Sequence, residues 1–553
     1  MGKVAVDFGT SNTVIARLNE TENRVETLEI PGITTQFRYR LRREDAPHVV
    51  HAIPSLIYYG ERQTLIGQQV VDEGLADHKD TMRWMKQAIS TRNKSSKVTS
   101  QGRKTYYDAG DEFLRMALNY AGNIISLNDD EFTFTAPVEA FEDFQEWLWT
   151  VAESAGVRRK RILDEPTACI FGYDGPVSGD ARFAVFDCGG GTLDVSCVRI
   201  DMDGQSDRKA IQLGKSGDHL GGMNIDKWIG DDFCARHNLP PTLRRALDGY
   251  ILRAAEAVKI ALSEPQTRDA DMTVTDTLNA VARSYTTTYL RECPECRSGA
   301  LGRHTDPDES CLGCLLLGKH FVDDVARTVD RALENAAVEA HMRRDDLTRV
   351  LVTGGASLMP CIGRYLQQTF TGKLYRDHPF DSVARGACRG IVLPILQHDY
   401  ALEGFDPDSG KYQFKNLFSL GTEYPTKPGD EKRRGVSGAF DGQTEIELLL
   451  FEVSRMARRD VSVSIVDDQG RFHDRSQVDT TQEFICLNRK NPTCIPADPP
   501  VNMVRDGQIK REGKHVKRFG CIFAIDENRR LLVDVIDRLT GREIYKKHPV
   551  VRL

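Results

Sequence analysis

FAVFDCGGGTLDVS, residues 183–196, is the stretch of sequence that decides the fold. An apolar run ends at Asp187, three glycines follow, and Thr192 and Asp194 begin a second apolar run. Glycine lets the backbone approach a phosphate closely, and successive N–H and hydroxyl groups can donate to its oxygens. An Asp at the end of a strand is placed to hold a metal-bound water. The stretch therefore predicts a β-hairpin whose turn, Gly189, Gly190, Gly191 and Thr192, cradles a phosphate.

VAVDFGTSNT, residues 4–13, repeats this design near the amino terminus. A strand ends at Asp7, and the following turn offers Gly9, Thr10, Ser11 and Asn12. One such turn is equally compatible with a simple hairpin. Two of them in one chain predict a clamp that holds a di- or triphosphate from both sides.

Three further segments follow in the order that such a clamp requires. RILDEPTACIFGY, residues 161–173, supplies Glu165 at the start of a helix. VLVTGGASLMP, residues 350–360, places Gly354 and Gly355 after a strand, where a base and a ribose can lie against bare backbone. DSVARGACRG, residues 381–390, predicts a helix with small residues that suit close packing.

The order of these five motifs resembles that of the actin, hexokinase and heat-shock ATPase superfamily. The D-x-G-G-G-T-x-D form, the E-P-T-A box and SGDHLGGMNID, residues 216–226, are similar to the seventy-kilodalton heat-shock chaperones, the DnaK-like family. The resemblance covers residues 1 to about 395 firmly, and EYPTKPGDEKR, residues 423–433, extends it more faintly. It implies an α/β, two-lobed, actin-like ATPase domain that binds ATP or ADP with Mg²⁺ and hydrolyses ATP slowly.

The resemblance also implies roles for individual residues. Asp7 and Asp187 would hold Mg²⁺ through water, and Lys86 would lie near the attacking water. The alternative interpretation of the basic segment around Lys86 is a solvated loop. The implied catalytic set is Lys86, Glu165, Asp187, Thr192 and Asp194. The implied nucleotide contacts are Asp7, Gly9, Thr10, Ser11, Asn12, Gly189, Gly190, Gly191, Thr192, Gly221, Gly222, Glu256, Lys259, Ser263, Gly354, Gly355 and Ser357.

The nucleoside side departs from the family. Glu256, Lys259 and Ser263 share one face of a helix, and the matching family face contacts the ribose and adenine. Ile260 and Leu358, however, stand where the family has arginines, and Phe380 stands where it has an aspartate. These changes either lower the affinity for ATP or make recognition of the base rely on packing.

CPECRSGALGRHTDPDESCLGC, residues 293–314, contains two Cys-x-x-Cys pairs: Cys293, Cys296, Cys311 and Cys314. Four thiolates in this spacing suit tetrahedral Zn²⁺, while disulfides, a redox switch or incidental thiols are the alternatives. We expect a zinc-ribbon insert over residues 289–318 in the outer part of the second lobe, where the family's exchange factors act. Such a ribbon would recruit a partner or tune nucleotide exchange.

The whole chain of 553 residues predicts several domains. A polar, turn-rich stretch predicts a linker over residues 396–415 after the nucleotide-binding domain of residues 1–395, and alternating apolar positions predict an all-β, sandwich-like domain over residues 416–553. The net charge of −7 argues against nucleic acid as a partner. No leader, membrane span or helical lid is evident, and scattered cysteines favour a reducing compartment, so we expect a cytoplasmic monomer.

The leading hypothesis is an ATP-driven, chaperone-like protein in which nucleotide state controls engagement of an unfolded or specific client, with a possible co-chaperone or exchange factor at the second lobe. The alternative is a nucleotide-sensing adaptor that turns over negligibly and docks one partner through the ribbon or the β domain. An actin-like filament protein and a small-molecule kinase are minor alternatives.

Overall fold

The computed structural model describes all residues except 1, 40–46, 92, 138–141, 174, 176–179, 204–206, 264–271, 281–282, 298–307, 309, 390–395, 397, 407–410, 456–464, 467–471, 474–481, 512 and 527–528. The chain forms two compact units. Residues 1–200 and 212–390 make up the first unit, and residues 201–211 and 391–553 make up the second.

The first lobe of the first unit is built on a mixed sheet with the strand order β12-β11-β1-β2-β5-β4, to which β3 adds by pairing with β2. Strand β1 is buried along its middle because it lies between two other strands, and this explains its unbroken apolar run. The elements are β1 (Lys3–Asp7), β2 (Asn12–Asn19), β3 (Arg24–Thr27), β4 (Thr35–Tyr39), β5 (His48–Pro54), β6 (Leu56–Tyr59), β7 (Thr64–Ile66), α1 (Gln68–Asp72), β8 (Thr81–Arg83), α2 (Met85–Ser90), β9 (Ser96–Thr99), β10 (Gly102–Thr105), α3 (Tyr106–Ala121), β11 (Glu131–Ala136), α4 (Glu142–Ser154), β12 (Arg159–Asp164) and α5 (Glu165–Phe171).

The second lobe has a sheet with the order β15-β14-β13-β18-β19. The elements are β13 (Ala181–Cys188), β14 (Leu193–Asp203), β15 (Asp207–Asp218), α6 (Gly222–Arg236), α7 (Pro241–Ser263), β16 (Thr273–Ala280), β17 (Arg283–Leu290), α8 (Pro294–Arg297), α9 (Leu312–Gly318), α10 (Phe321–Ala340), a 3₁₀ turn (Arg344–Asp346), β18 (Arg349–Thr353), a 3₁₀ turn (Gly355–Leu358), α11 (Pro360–Thr369), β19 (Leu374–Tyr375) and α12 (Ser382–Arg389).

The two lobes repeat one topology. In the first lobe β1 pairs antiparallel with β2 and parallel with β11, and β11 pairs parallel with β12. In the second lobe β13 pairs antiparallel with β14 and parallel with β18, and β18 pairs parallel with β19. Each lobe therefore presents one hairpin turn at the carboxyl end of its first strand.

Helix α12 connects the lobes. Its first residue, Ser382, is hydrogen-bonded to Thr353 of β18, with 2.7 Å between the hydroxyl oxygens, while the helix packs against β1 and β2 of the first sheet. It also packs closely on α5. A β-carbon added to Gly386 would lie 1.6 Å from the carbonyl oxygen of Ala168, so this position requires glycine.

The second unit is rich in β structure. Two four-stranded sheets, β21-β20-β24-β27 and β22-β31-β32-β33, contribute to one buried core. The elements are β20 (Asp399–Asp406), β21 (Lys411–Phe418), β22 (Lys432–Val436), β23 (Glu445–Leu448), β24 (Leu450–Arg455), β25 (Ile465–Val466), β26 (Phe472–His473), β27 (Gln482–Cys486), β28 (Thr493–Pro496), α13 (Met503–Gly507), β29 (Lys510–Arg511), β30 (Lys514–His515), β31 (Phe519–Ile525), β32 (Arg530–Asp537) and β33 (Glu543–Arg552).

The structure differs from the linker that we predicted over residues 396–415. Strands β20 and β21 pair antiparallel there, and Tyr400 and Leu402 lie in the core of the second unit. The polar stretch on which that prediction rested, GFDPDSGKYQ, residues 404–413, spans the end of β20, the connection and the start of β21. The connection itself, residues 407–410, lies outside the described residues.

Candidate functional site

Two hairpin turns meet in the first unit. The first glycine turn, residues 8–11, joins β1 to β2, and the second glycine turn, residues 189–192, joins β13 to β14. A β-carbon added to Gly190 would lie 2.2 Å from Ser11 Oγ, and one added to Gly191 would lie 3.1 Å from Thr10 Cγ2. The turns predicted to cradle phosphate thus face each other, at a distance that larger residues would not permit.

The first glycine turn is held by Ser55, the residue between β5 and β6. Ser55 Oγ donates to the carbonyl oxygen of Gly9 at 2.8 Å, and the Ser55 amide donates to the carbonyl oxygen of Ser11 at 2.9 Å. Ser55 Oγ is also 3.0 Å from Thr13 Oγ1. The predicted contact Asn12 is exposed, whereas Thr10 is buried.

The second glycine turn is held by the start of α6. The amide of Gly222 donates to the carbonyl oxygen of Gly189 at 3.0 Å, and the amide of Met223 donates to that of Gly190 at 2.7 Å. A β-carbon on Gly221 would lie 2.7 Å from the carbonyl oxygen of Gly189. Gly221 and Gly222, predicted as nucleotide contacts, therefore lie against the backbone of the turn.

A buried lysine lies below the turns. Lys86 Nζ donates to Glu165 Oε1 at 2.6 Å. Burial lowers the pKa of Lys86, but the carboxylates of Glu165 and Asp7 outweigh this effect and raise the pKa above its ordinary value. Lys86 is therefore a cation at neutral pH, and the structure places it inside the site rather than in a solvated loop.

Carboxyl groups outnumber this cation. Asp187 stands opposite Asp194 in the β13–β14 register. Burial, together with Glu165 and Asp194, raises the pKa of Asp187 well above its ordinary value, and burial raises the pKa of Glu165 to about 7. Asp7 Oδ1 accepts a hydrogen bond from Thr135 Oγ1 at 2.8 Å. The excess of negative charge and the oxygen donors fit a hard divalent cation such as Mg²⁺.

The third glycine turn, residues 354–357, adjoins the second one. Gly354 has φ +81°, and a β-carbon there would lie 2.2 Å from the carbonyl oxygen of Cys188. Ser357 is fully buried, and its hydroxyl has no hydrogen-bond partner within the described part of the chain. The Phe380 ring covers Gly355, since a β-carbon on this glycine would lie 3.1 Å from Phe380 Cε1.

The helix face predicted to contact the nucleoside is only partly assembled. Lys259 Nζ is 2.8 Å from Asp226 Oδ1, and Glu256 is exposed. The hydroxyl of Ser263 is buried, donating to the carbonyl oxygen of Lys259 at 2.7 Å and lying 2.9 Å from the sulfur of Met359. The structure brings Lys259 towards the second glycine turn and directs the Ser263 hydroxyl into the packing between α7 and the start of α11.

Comparison with known proteins found two similarities. A sequence model of the Hsp70 protein family matches residues 141–295. The chaperone protein DnaK of Deinococcus deserti is 24% identical over 426 residues, which cover 72% of this chain. The chain is therefore similar to Hsp70 proteins over part of its length. The match spans 60% of the length of the Deinococcus relative. Hsp70 proteins belong to the actin-like ATPase superfamily, which agrees with the repeated topology of the two lobes.

The Hsp70 match ends at residue 295, inside the first Cys-x-x-Cys pair. Cys293, Cys296, Cys311 and Cys314 are all buried, and their sulfur atoms lie within 4.8 Å of one another. Sulfur separations of 3.5, 3.8 and 4.0 Å resemble the spacing of about 3.8 Å that four Zn–S bonds of about 2.3 Å give in a tetrahedron. The cysteines thus fit a closed four-thiolate zinc site. His304, in the predicted ribbon loop, lies outside the described residues.

Three contacts of this candidate site were missed by sequence reasoning. Thr135 orients Asp7, Ser55 holds the first glycine turn, and Gln87 Nε2 donates to the carbonyl oxygen of Gly191 at 3.2 Å. Gln87 follows Lys86 directly, so its position along α2 was a usable signal. Thr135 and Ser55 carry no local motif, because their partners are 128 and 46 residues away.

Proposed function

We propose that this chain is an Hsp70-type protein that binds and slowly hydrolyses ATP with Mg²⁺ and couples nucleotide state to engagement of a client protein. The observation that carries the proposal is the group of buried carboxylates around Lys86, directly below two facing glycine turns. A site of this kind suits phosphoryl transfer, which depends mainly on positioning and on neutralising charge.

The residues of the chain divide the task. Backbone N–H groups of both turns, with Thr10 and Thr192, would donate to phosphate oxygens, and Lys86 would hold positive charge beside the attacked phosphorus. Asp7 and Asp187 would hold Mg²⁺ through water, with Glu165 and Asp194 nearby. When bound, this ion would neutralise charge on the phosphates. The third glycine turn and the α7 face, including Lys259, would accommodate the nucleoside, with Ile260, Leu358 and Phe380 giving an apolar surround.

We also propose roles for the remaining parts. The cysteine cluster would hold structural Zn²⁺, and the surface of the second lobe would receive a co-chaperone or an exchange factor. The second unit would engage unfolded or specific clients. None of the thirteen cysteines, all of which the structure describes, forms a disulfide, consistent with the cytoplasm as the proposed location. No helix of the described chain combines sufficient length and apolar character to cross a membrane.

The test is single-turnover ATP hydrolysis by the zinc-loaded chain, with and without an unfolded peptide mixture. We expect slow hydrolysis that peptides accelerate, and a loss of about a hundredfold or more in Asp187→Asn and Lys86→Ala. Lys104→Ala is the matched control, because Lys104 Nζ also donates to a glutamate, Glu112, at 2.6 Å but lies on β10, outside the site. Hydrolysis that survives in Lys86→Ala as in Lys104→Ala would refute the catalytic role of Lys86.

A second candidate is the nucleotide-sensing adaptor. The observation that favours it is the Phe380 ring over Gly355, which also packs edge-on to Tyr39 at 5.0 Å between ring centroids. An aromatic ring held in this position suits a site that binds nucleotide tightly and releases it slowly. Tight ATP binding with no turnover, unchanged by peptides, would establish the adaptor and exclude the chaperone cycle.

A further inference from the structure

The four-cysteine cluster is attached to the strand before it. Cys311 forms a parallel β-bridge with Leu290, the last residue of β17, and the amide of Leu290 donates to the carbonyl oxygen of Ser310 at 2.8 Å. The amide of Cys293 donates to Cys311 Sγ at 3.1 Å. The end of β17 therefore moves with the cluster.

The same strand is tied to α6. Tyr289, buried next to Leu290, donates its hydroxyl hydrogen to the carbonyl oxygen of Ile229 at 3.3 Å. The guanidinium of Arg236, at the end of α6, lies 5.1 Å from the centre of the Tyr289 ring. Helix α9, which carries Cys314, also packs against α6. The cluster thus holds α6 from two sides.

Helix α6 begins at the second glycine turn. Its first residues donate the two backbone hydrogen bonds to Gly189 and Gly190 that hold this turn. A helix is a stiff rod with a fixed rise per residue. If α6 shifts where it contacts the cluster, the amide groups of Gly222 and Met223 at its start therefore shift as well, and the second glycine turn with them.

A second connection leads to the third glycine turn. Glu292, the residue before Cys293, forms an ion pair with Arg364 of α11, and both side chains are largely buried. Helix α11 begins at Pro360, two residues after the 3₁₀ turn that contains Gly355 and Ser357. The cluster is therefore joined to both glycine turns of the second lobe.

We propose that metal occupancy of the four-cysteine cluster controls how tightly the second lobe holds nucleotide. Bound Zn²⁺ keeps the four thiolates together, which fixes β17, α6 and α11 and aligns the second and third glycine turns. Without the cation, the metal–sulfur bonds that hold the four cysteines together are absent, so the cluster opens and both connections loosen. This inference rests on the proposed nucleotide function and names the regulation of that site.

The test compares the full chain loaded with Zn²⁺ and the same chain stripped by a chelator and returned to a buffer with Mg²⁺. The probe is a fluorescent ADP, and both its affinity and its dissociation rate are measured. Coupling between connected sites changes affinity by roughly 2- to 30-fold. We expect the zinc-loaded chain to hold one Zn²⁺ and to release ADP several times more slowly than the stripped chain.

Two variants separate the coupling from simple unfolding of the stripped chain. Tyr289→Phe removes the hydrogen bond to α6, and Glu292→Gln removes the ion pair to α11. Each variant should retain one Zn²⁺ yet release ADP about two to five times faster than the wild type. In the double variant, removal of Zn²⁺ should increase the ADP dissociation rate little further. Tyr285→Phe is the matched control, a phenol on the same strand whose hydroxyl makes no hydrogen bond to α6 within the described residues.

Distinct results separate this inference from the proposed function. ADP that fails to bind the zinc-loaded wild-type chain refutes the proposed function itself. ADP that binds equally with and without Zn²⁺, or that leaves both variants at the wild-type rate, refutes the coupling and leaves the nucleotide site in place. If the chain retains no Zn²⁺ after one molar equivalent is added, the coupling is also refuted.

Discussion

The first and second glycine turns have the same strand–turn–strand design but different supports. The hydroxyl and the amide of Ser55, the residue between β5 and β6, hold the first turn. Backbone amides of α6 hold the second turn, and α6 is attached at Tyr289 to the strand that leads into the cysteine cluster. The first turn therefore depends on the segment between β5 and β6, whereas the second depends on a helix that is attached to the strand before the cysteine cluster. Two equivalent motifs can thus respond differently to the same perturbation.

The largest effect is expected from neutralising the carboxylates of the two turns. Because the pKa of Asp187 is raised by burial, its ionised form costs folding free energy, and this cost grows as pH rises through the raised pKa. We expect Asp187→Asn to stabilise the ligand-free chain at pH 8 while reducing hydrolysis about a hundredfold or more. Thermal melting and single-turnover hydrolysis measure the two effects.

Asp7→Asn sharpens this comparison. Thr135 donates to the Asp7 carboxylate, and a hydrogen bond to a charged acceptor is stronger than one to a neutral amide. Asp7→Asn should therefore lose activity as Asp187→Asn does, with a smaller gain in stability. A ligand-free Asp187→Asn chain that melts below wild type at pH 8 would contradict the assigned charge imbalance.

The supports themselves can be broken one at a time. A β-carbon in Gly221→Ala would lie 2.7 Å from the carbonyl oxygen of Gly189 and 2.8 Å from that of Gly190, so the second turn must move. We expect ADP to bind about tenfold more weakly, a change of about 1.4 kcal/mol, by fluorescence titration.

Ser55→Ala is the corresponding change at the first turn. Loss of its hydroxyl contacts should lower the free energy of unfolding by about 1 kcal/mol, with a change in ADP affinity of less than about threefold. If Ser55→Ala weakens ADP binding as much as Gly221→Ala, then the two turns do not differ in the way that their supports suggest.

The smallest expected effect is a change in how the stability of the chain depends on pH, caused by Asp226 of α6. Burial raises the pKa of Asp226 to about 6, although Lys259 is its ion-pair partner. A carboxyl group with a raised pKa contributes stability that is present at low pH and is lost as pH rises through about 6. Asp226→Asn should therefore gain stability relative to wild type between pH 5 and pH 7, as measured by urea denaturation.

Asp111→Asn is the control for this pH experiment, because Asp111 forms a more exposed ion pair with Arg115 at 2.8 Å on α3. It should change stability by less than about 0.5 kcal/mol at either pH. If the difference in free energy of unfolding between the wild type and Asp226→Asn is constant from pH 5 to pH 7, then Asp226 does not titrate in that range.

The sequence was informative where chemistry and local structure coincide. Asp7 and Asp187 end buried strands, and glycine-rich turns follow them, so the strand ends and the facing turns could be predicted from short motifs. The buried positions Phe321, Val325, Val329, Ala332 and Ala336 of α10, Phe321–Ala340, recur at helical spacing for the same reason. Such features depend on neighbours within a few residues, which a single sequence displays.

Other features depend on residues far apart in the chain. The pairing of Ser55 with Gly9 and the ion pair of Glu292 with Arg364 need the tertiary fold, so no pattern in one sequence indicates them. The linker prediction failed for a different reason. Polar residues in GFDPDSGKYQ mark a turn equally well within a hairpin and between domains, and the alternating Tyr400 and Leu402 beside it decide for the hairpin.

The contact between α5 and α12 has a consequence for motion. Glycine, alanine and serine meet there, with Gly172 packed so closely that an added β-carbon would lie 2.4 Å from the carbonyl oxygen of Ser382. Where helices touch through their backbones, one can slide along the other without any side chain changing its rotamer. The packing of α12 on α5, the helix that begins at Glu165, therefore permits a small sliding motion between the lobes. A β-carbon at Gly386 would collide with the carbonyl oxygen of Ala168 and force the two helices apart.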